Sequence, residues 1–248
     1  MTREGWSSAD LHIHSTASDG TATPLEVLRW ANERTDLAVI AIADHNAVDG
    51  ALEACDAAAR MGRVQVVVAQ EVESAEGHIV GLWAPERVVP GMMAMETVAA
   101  IHEQGGLAIA PHPFAPRWWH KHGLCRAERC VYDETPFDGI EVANSTPMLL
   151  HANPRARWYW WWNRHRLART GGSDAHILSV IGSSRTLFRG RSAEDLRHAI
   201  ESRETRVYGP RFSALRPVLY ARHVPAIRRS RKAYQKAEND AYRDREAG

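Results

Sequence analysis

Nine side chains of metal-ligand type recur along this 248-residue chain, at or beside the ends of apolar runs: His12, His14, Asp19, His45, Glu71, His78, His112, Asp174 and His176. Brought together, imidazoles and carboxylates in that number suit two or three divalent ions. Clustered ions make a nucleophile from water at neutral pH and clamp a transferring phosphoryl group. The series is the signal: among 13 histidines a His-x-His pair is expected by chance, and a second pair, His120 and His122, is present.

Each station has its own logic. His12 and His14 flank Ile13, so a strand of period two puts both imidazoles on one face and Ile13 on the other. Asp19 follows in the turn tripeptide Ser18-Asp19-Gly20. Asp44-His45 ends the most apolar run; His45 points to the top of a sheet, and Asp44 is expected to orient a ligand histidine or to cap a helix. Glu71 ends the run from Val64, and its carboxylate can bridge two ions as a neutral imidazole does not; Glu73 is its period-two competitor. His112 is fixed between Pro111 and Pro113. Asp174 and His176 follow Gly171-Gly172, which permits close backbone approach.

The elements that must position these residues alternate. Apolar runs at Asp10–His14, Ala38–Ala43, Val64–Ala69, His78–Trp83, Leu107–Pro111 and Gly139–Val142, with a weaker one ending at Gly171–Asp174, read as strands. Several are apolar on both faces, as in a covered parallel sheet. Helices are expected at Pro24–Arg34 after the N-cap Thr23, at Asp49–Met61 before the C-cap Gly62, at Glu96–Gln104, at Arg155–Arg169 and at Ala193–Ser202. Strand–helix alternation with about seven strands predicts a closed α/β barrel, whose sites sit at the C-terminal ends of strands. His78 opens its run, so that run is expected to be a hairpin return. The main domain is placed at 1–210, with an insert at about 115–136 that reads as a lid. The insert carries Trp118 and Trp119, a candidate stacking pair, and His120, His122, Cys125 and Cys130, whose spacing is irregular for a zinc site. Trp158, Trp161 and Trp162 fall at helical spacing and are expected to form a packed helix face. The tail 211–248 holds ten Arg/Lys and four Asp/Glu and is expected to form a basic, solvated helical extension.

In order and spacing, Asp10-Leu11-His12-Ile13-His14, Ser18-Asp19-Gly20, Ala43-Asp44-His45, Glu71, Pro111-His112-Pro113 and Gly172-Ser173-Asp174-Ala175-His176 resemble the motifs of the polymerase and histidinol phosphatase (PHP) family. The resemblance runs from about residue 9 to residue 208. It implies a distorted (β/α)7 barrel and metal-dependent hydrolysis of phosphate esters with two or three Mn, Fe or Zn ions. Carried over, it puts one ion on His12, His14, Glu71 and Asp174, a second on Glu71, His78 and His112, and a third on Asp19, His45 and His176. Ala43 and Gln70 stand where the family commonly has Thr and Gly, which bears on substrate fit. The expected reaction is in-line attack by a metal-bridging hydroxide, with Glu71, Asp174 and His176 at the reacting group. Arg117 and Arg185 are expected to neutralise the phosphoryl oxygens, and Asn144 to contact substrate.

Bulk properties bound the alternatives. Hydrophobic content of 44% and charge of 25% suit a globular protein with a real core. A net charge of +1 argues against a broad electrostatic surface for long nucleic acid. The 28 Arg against only Lys121, Lys232 and Lys236 fit a GC-rich coding bias. Three cysteines without a framework argue against a disulfide-stapled secreted protein. No apolar stretch approaches the roughly 18 residues of a membrane span, and no leader peptide is evident. The cytoplasm is therefore the expected compartment. The leading reading is a hydrolase of a small phosphorylated metabolite, such as a nucleotide, nucleoside bisphosphate or sugar phosphate. The alternatives are an exonuclease on short oligonucleotides and a metal-stabilised structural module without turnover.

Overall fold

The computed structural model of the chain describes residues 5–115, 129–147, 151–209 and 221–246. Its strands are β1 (Trp6–Ile13), β2 (Val39–Ile42), β3 (Gln65–Ser74), β4 (Gly77–Leu82), β5 (Leu107–Ala110), β6 (Gly139–Asn144), β7 (Ala168–Gly172), β8 (Arg185–Arg189) and β9 (Arg206–Tyr208). The helices are α1 (Pro24–Arg34), α2 (Asp49–Met61), α3 (Ala94–Glu103), α4 (Arg129–Glu134), α5 (Ala152–Asn163), α6 (Ala193–Glu201) and α7 (Val224–Glu246). Local chemistry sets the clearest boundaries. Thr23 and Glu26 form a reciprocal capping box at the start of α1, and Gly62, at φ 78°, closes α2 in the left-handed region.

One sheet runs in the order β7-β6-β5-β4-β3-β2-β1-β8-β9. Neighbours are parallel except around β4, which is antiparallel to β3 and β5, and at β1–β8 and β8–β9. The His78 run is thus a hairpin return, with Glu73 opposite His78 in the register. The edge of β1 is shared. Its first half pairs with β8. At its end the chain beyond β7 takes over: the Asp174 amide donates to the His12 carbonyl at 2.8 Å, and the His14 amide to the Ala175 carbonyl at 2.9 Å. The result is a nearly closed α/β barrel, β1 to β7, with β8 and β9 as a further antiparallel flap.

Three apolar layers hold this frame. Ala9, Val39, Ala41, Val67, Leu82, Ile109 and Phe188 belong to one. Ile13, Leu28, Ile40, Ile42 and the alanines of α2 pack α1 and α2 on the sheet. Val98, Ile101, Ile140, Tyr132 and Tyr159 do the same for α3, α4 and α5. Each fully buried large side chain contributes about 1.5–3 kcal/mol. No described helix is long and apolar enough to cross a membrane.

Two expectations are corrected here. The helix expected over Arg155–Arg169 begins at Ala152 and ends at Asn163, because Leu167 and Ala168 are taken into the core and β7. Its buried stripe is Ala152, Asn153, Ala156 and Tyr159. Trp158, Trp161 and Trp162 lie on the opposite side and are 58%, 51% and 56% exposed. Large aromatic residues fall on both sides of this helix, Tyr159 on one and the three tryptophans on the other, so periodicity alone could not say which side faces inward. Trp118, Trp119, His120, His122 and Cys125 lie outside the described residues, as does the side chain of Cys130.

Candidate metal centre

All nine residues meet at the C-terminal end of the parallel strands. His12 (1% exposed) and His14 (2%) project from β1 to one side, while Ile13 packs under α1 and α2 on the other. Glu71 on β3 is the hub. Its Oε1 lies 2.9 Å from His78 Nδ1, 3.0 Å from His112 Nε2 and 3.4 Å from His12 Nε2. Its Oε2 lies 3.1 Å from His45 Nδ1 and 3.5 Å from His14 Nε2. Asp174 Oδ1 faces His14 Nε2 at 3.3 Å and both His12 Nε2 and His176 Nδ1 at 3.7 Å. Asp19 Oδ1 lies 3.1 Å from His176 Nε2, 3.7 Å from His14 Nδ1 and 3.8 Å from His45 Nε2.

Four sets of these ligand atoms lie within 4.8 Å of one another: His14, Asp19, His45 and His176; His12, His14 and Glu71; His12, His112 and Asp174; and His45, Glu71 and His78. The fit to cations shows in what is left over. Of eight buried side-chain polar atoms lacking a hydrogen-bond partner among the described residues, five belong here: His12 Nε2, both His14 nitrogens, Asp19 Oδ1 and His45 Nδ1. Leaving such atoms unpaired is costly. An ion that accepts their lone pairs removes the cost, and this donor set of imidazole and carboxylate suits Mn, Fe and Zn alike.

Electrostatics in the metal-free protein match that reading. Burial opposes ionisation of Glu71, yet His78, His12 and His45 hold its carboxyl well below the usual carboxylate range. Asp174 is likewise held low against burial by His12, His14 and His176. Burial disfavours charge on His176, but Asp19 beside it raises the imidazole to about 9. Burial lowers His45 to about 3, so that ring is neutral and its lone pair is available.

The supporting residues differ from expectation at several points. Asp44 neither orients a histidine by direct contact nor caps a helix, since the N-cap of α2 is Val48. Its carboxylate accepts from Ser15 N at 2.7 Å, Ser15 Oγ at 2.6 Å and Ser18 Oγ at 2.5 Å, and so folds the turn that presents Asp19. Asn144, expected to contact substrate, is fully buried. Its Nδ2 donates to Glu141 at 2.8 Å and Asp174 at 3.3 Å, and its Oδ1 accepts from Thr146 N. Arg185 is turned away: its guanidinium pairs with Asp36, which precedes the N-terminal end of β2, whereas His45 follows the other end. Arg117 lies outside the described residues. Glu73, the competitor of Glu71, stands at the edge, 4.0 Å from His45.

Sequence reasoning missed two contributors. Glu141 is buried behind His12, with Oε1 3.3 Å from His12 Nδ1 and Oε2 accepting from His112 N at 2.7 Å. Such a carboxylate fixes the tautomer of a ligand histidine. The second is α7, expected to stand in solvent. Ser230 Oγ donates to Gly20 O at 2.6 Å and Tyr234 OH to His45 O at 2.9 Å, so one face of the helix rests on the loops carrying Asp19 and His45. The backbone is strained at two stations: His112 and Asp174 have φ of 27° and 54°. Non-glycine residues in this region cost on the order of 1–3 kcal/mol each and cluster at functional sites.

Comparison with known proteins bears on the family and the fold. Residues 151–205 match the family model described as PHP-associated. An uncharacterized protein of Methanocaldococcus jannaschii is 36% identical over 148 residues, 55% of this chain and 81% of that protein. A 3',5'-nucleoside bisphosphate phosphatase of Chromobacterium violaceum is 44% identical over 77 residues, 29% of this chain and 26% of the enzyme. In fold, the chain superposes with a TM-score of 0.64 and 20% identity on a two-domain protein of Bacteroides vulgatus described as containing a predicted PHP-like metal-dependent phosphoesterase. The match covers 82% of this chain and 65% of that one. With its ordered motifs, barrel and clustered ligand residues, this chain belongs to the PHP family of metal-dependent phosphoesterases.

Proposed function

We propose that this enzyme hydrolyses a terminal phosphate ester on a small metabolite of nucleotide type, at two or three divalent ions held by His12, His14, Asp19, His45, Glu71, His78, His112, Asp174 and His176. The observation that carries this reading is the position of Glu71, one buried carboxylate in contact with five histidines from four different strands or strand ends. Bound ions would supply a nucleophile from water at neutral pH and neutralise charge on the phosphoryl oxygens.

The chain's own residues do the rest. Glu71, whose two oxygens face different histidines, would hold two ions. Asp174, braced by Asn144 and by Thr146 Oγ1 at 2.9 Å, presents its other oxygen to His12 and His14. Asp19 and His176, 3.1 Å apart, would hold a third ion together with His45. The side chains of His45, His78 and His176 retain 8–13% exposure, as does neighbouring Glu73, against 4% or less for the other six ligand residues, so the phosphoryl group approaches along that edge. Tyr234 stands beside His45 there, with ring centroids 6.4 Å apart. Support for a nucleotide comes from the likeness to the bisphosphate phosphatase.

The test is turnover by Mn2+-loaded protein of nucleotides, nucleoside bisphosphates, sugar phosphates, and nitrophenyl phosphate mono- and diesters, with Glu71→Gln as control. Monoester turnover that falls at least about a hundredfold in the variant supports the reading, since it removes an interaction with the reacting centre. Absence of turnover with metals bound would mark a structural module, and full activity in Glu71→Gln would refute the bridging role.

A further inference from the structure

Outside the metal centre, the most unusual surface is the outer side of α5. Trp161 and Trp162 stand edge to face, ring centroids 5.0 Å apart at 89°, and Trp158 lies 6.4 Å from Trp162. The Arg164 guanidinium lies 4.5 Å over the Trp161 ring, and Arg155 is exposed on the same helix. Residues 142–173 contain five arginines and no Asp or Glu; Arg166 turns to Asp133 and Arg169 to Thr205 and Trp160, which leaves Arg155, Arg157 and Arg164 exposed. Tryptophan is seldom left half-exposed in threes, and clustered exposed aromatics mark interaction surfaces.

The charge and composition of this face select its partner. Arginines in a stretch without acids complement a polyanion, and indole faces accept stacked bases whatever their sequence. An arginine held over an indole offers planar donors to a phosphate. The large exposed apolar side chains of α5 are all tryptophan, with no Leu, Ile, Val or Met to enter lipid. The helix is also tied to the site. The Asn153 side chain brackets the Asn144 backbone, accepting from its N–H at 3.0 Å and donating to its carbonyl at 2.9 Å, and Asn144 reaches Asp174. Trp161, eight residues along, is about 12 Å from that anchor by helical rise.

We propose that the outer face of α5 binds single-stranded nucleic acid, with bases stacked on Trp161 and Trp162 and phosphates on Arg155 and Arg164. This surface goes beyond the hydrolytic reading above and does not depend on it. A base-paired duplex would not serve, because its base faces are already stacked.

The test uses the full-length protein and a hydrolysis-resistant, phosphorothioate-linked oligothymidylate about ten nucleotides long, within the span such surfaces occupy. Binding is read by quenching of tryptophan fluorescence and by anisotropy of a labelled probe. The expected result is saturable binding that weakens about tenfold or more for each ring removed in Trp161→Ala and Trp162→Ala. In Arg155→Ala/Arg164→Ala the slope of log affinity against log salt should become shallower by roughly 0.7 for each phosphate no longer neutralised. Nitrophenyl phosphate hydrolysis and metal content stay unchanged in all variants. Absence of binding, or variants that bind as tightly as the parent, overturns the proposal. So does binding to phosphatidylserine vesicles with none to the oligonucleotide, or a dimer in sedimentation that these variants dissolve. Failure of hydrolysis with oligonucleotide binding intact would remove the proposed reaction and leave this surface standing; the converse would remove the surface alone.

Discussion

Replacing Glu141 by Gln isolates a buried carboxylate that touches the side chain of one ligand residue and the backbone of another without facing an ion position. Its Oε2 accepts two N–H groups, from His112 at 2.7 Å and Asn144 at 2.8 Å, while Oε1 faces His12 Nδ1 at 3.3 Å. A glutamine can satisfy one side only. If its carbonyl keeps the two donors, its NH2 confronts His12 Nδ1. That nitrogen must then accept, which moves the ring proton to Nε2, the atom turned toward Glu71 and Asp174. The opposite orientation sets NH2 against two buried N–H groups, at about 1–3 kcal/mol each, so the first prevails. His12 is then protonated at its ligand nitrogen. Metal affinity should fall about 10- to 100-fold, the range for losing such a partner, or roughly 1.4–2.7 kcal/mol. The metal-free fold should lose only about 1 kcal/mol, because both N–H bonds survive as weaker neutral ones. Calorimetric Mn2+ titration of both proteins, with melting curves in chelator, measures the two quantities. Unchanged affinity would refute both the tautomer shift and ligation through His12 Nε2.

Two further outcomes follow from the same geometry. A Cβ at Gly172 would lie 2.5 Å from both Glu141 Oε1 and His12 Cβ, so Gly172→Ala should cost about 1–3 kcal/mol by overpacking and displace His12; melting and metal titration check it, and a variant equal to the parent in both contradicts it. His176 is raised to about 9 by Asp19, above its ordinary value near 6.5. The stabilisation it brings to the metal-free protein is therefore whole below about pH 6.5 and is lost as pH rises through about 9. An ion at that position must displace the proton, so apparent affinity should rise by up to about tenfold per pH unit toward 9, with proton release seen in buffers of differing ionisation enthalpy. Affinity independent of pH would contradict the assignment of His176 as a ligand.

Much of the frame can be read along the chain because local rules govern it. The capping box at Thr23, the left-handed cap at Gly62, the alternation of His12, Ile13 and His14, and the reversed run opened by His78 each depend on residues close in sequence. What escapes such reading depends on distant pairings. Asp44 serves a turn 26 to 29 residues away. Arg185 is claimed by Asp36, 149 residues distant. Glu141 points inward beside an irregularity in the β6–β7 register, which no periodic pattern announces. The seating of α7 on Gly20 and His45 joins positions about 190–210 residues apart, and its charged residues carry no sign of a docked face. The α5 tryptophans show the limit of periodicity: it found a face and could not tell which side the core would take.

Diffraction from Mn2+-soaked crystals at the manganese edge tests the central claim most directly. At least two anomalous peaks are predicted within about 2.0–2.3 Å of imidazole nitrogens and carboxylate oxygens, with Glu71 shared between two of them. A map with no peak among these nine residues, from protein shown to be folded and exposed to the metal, would contradict it.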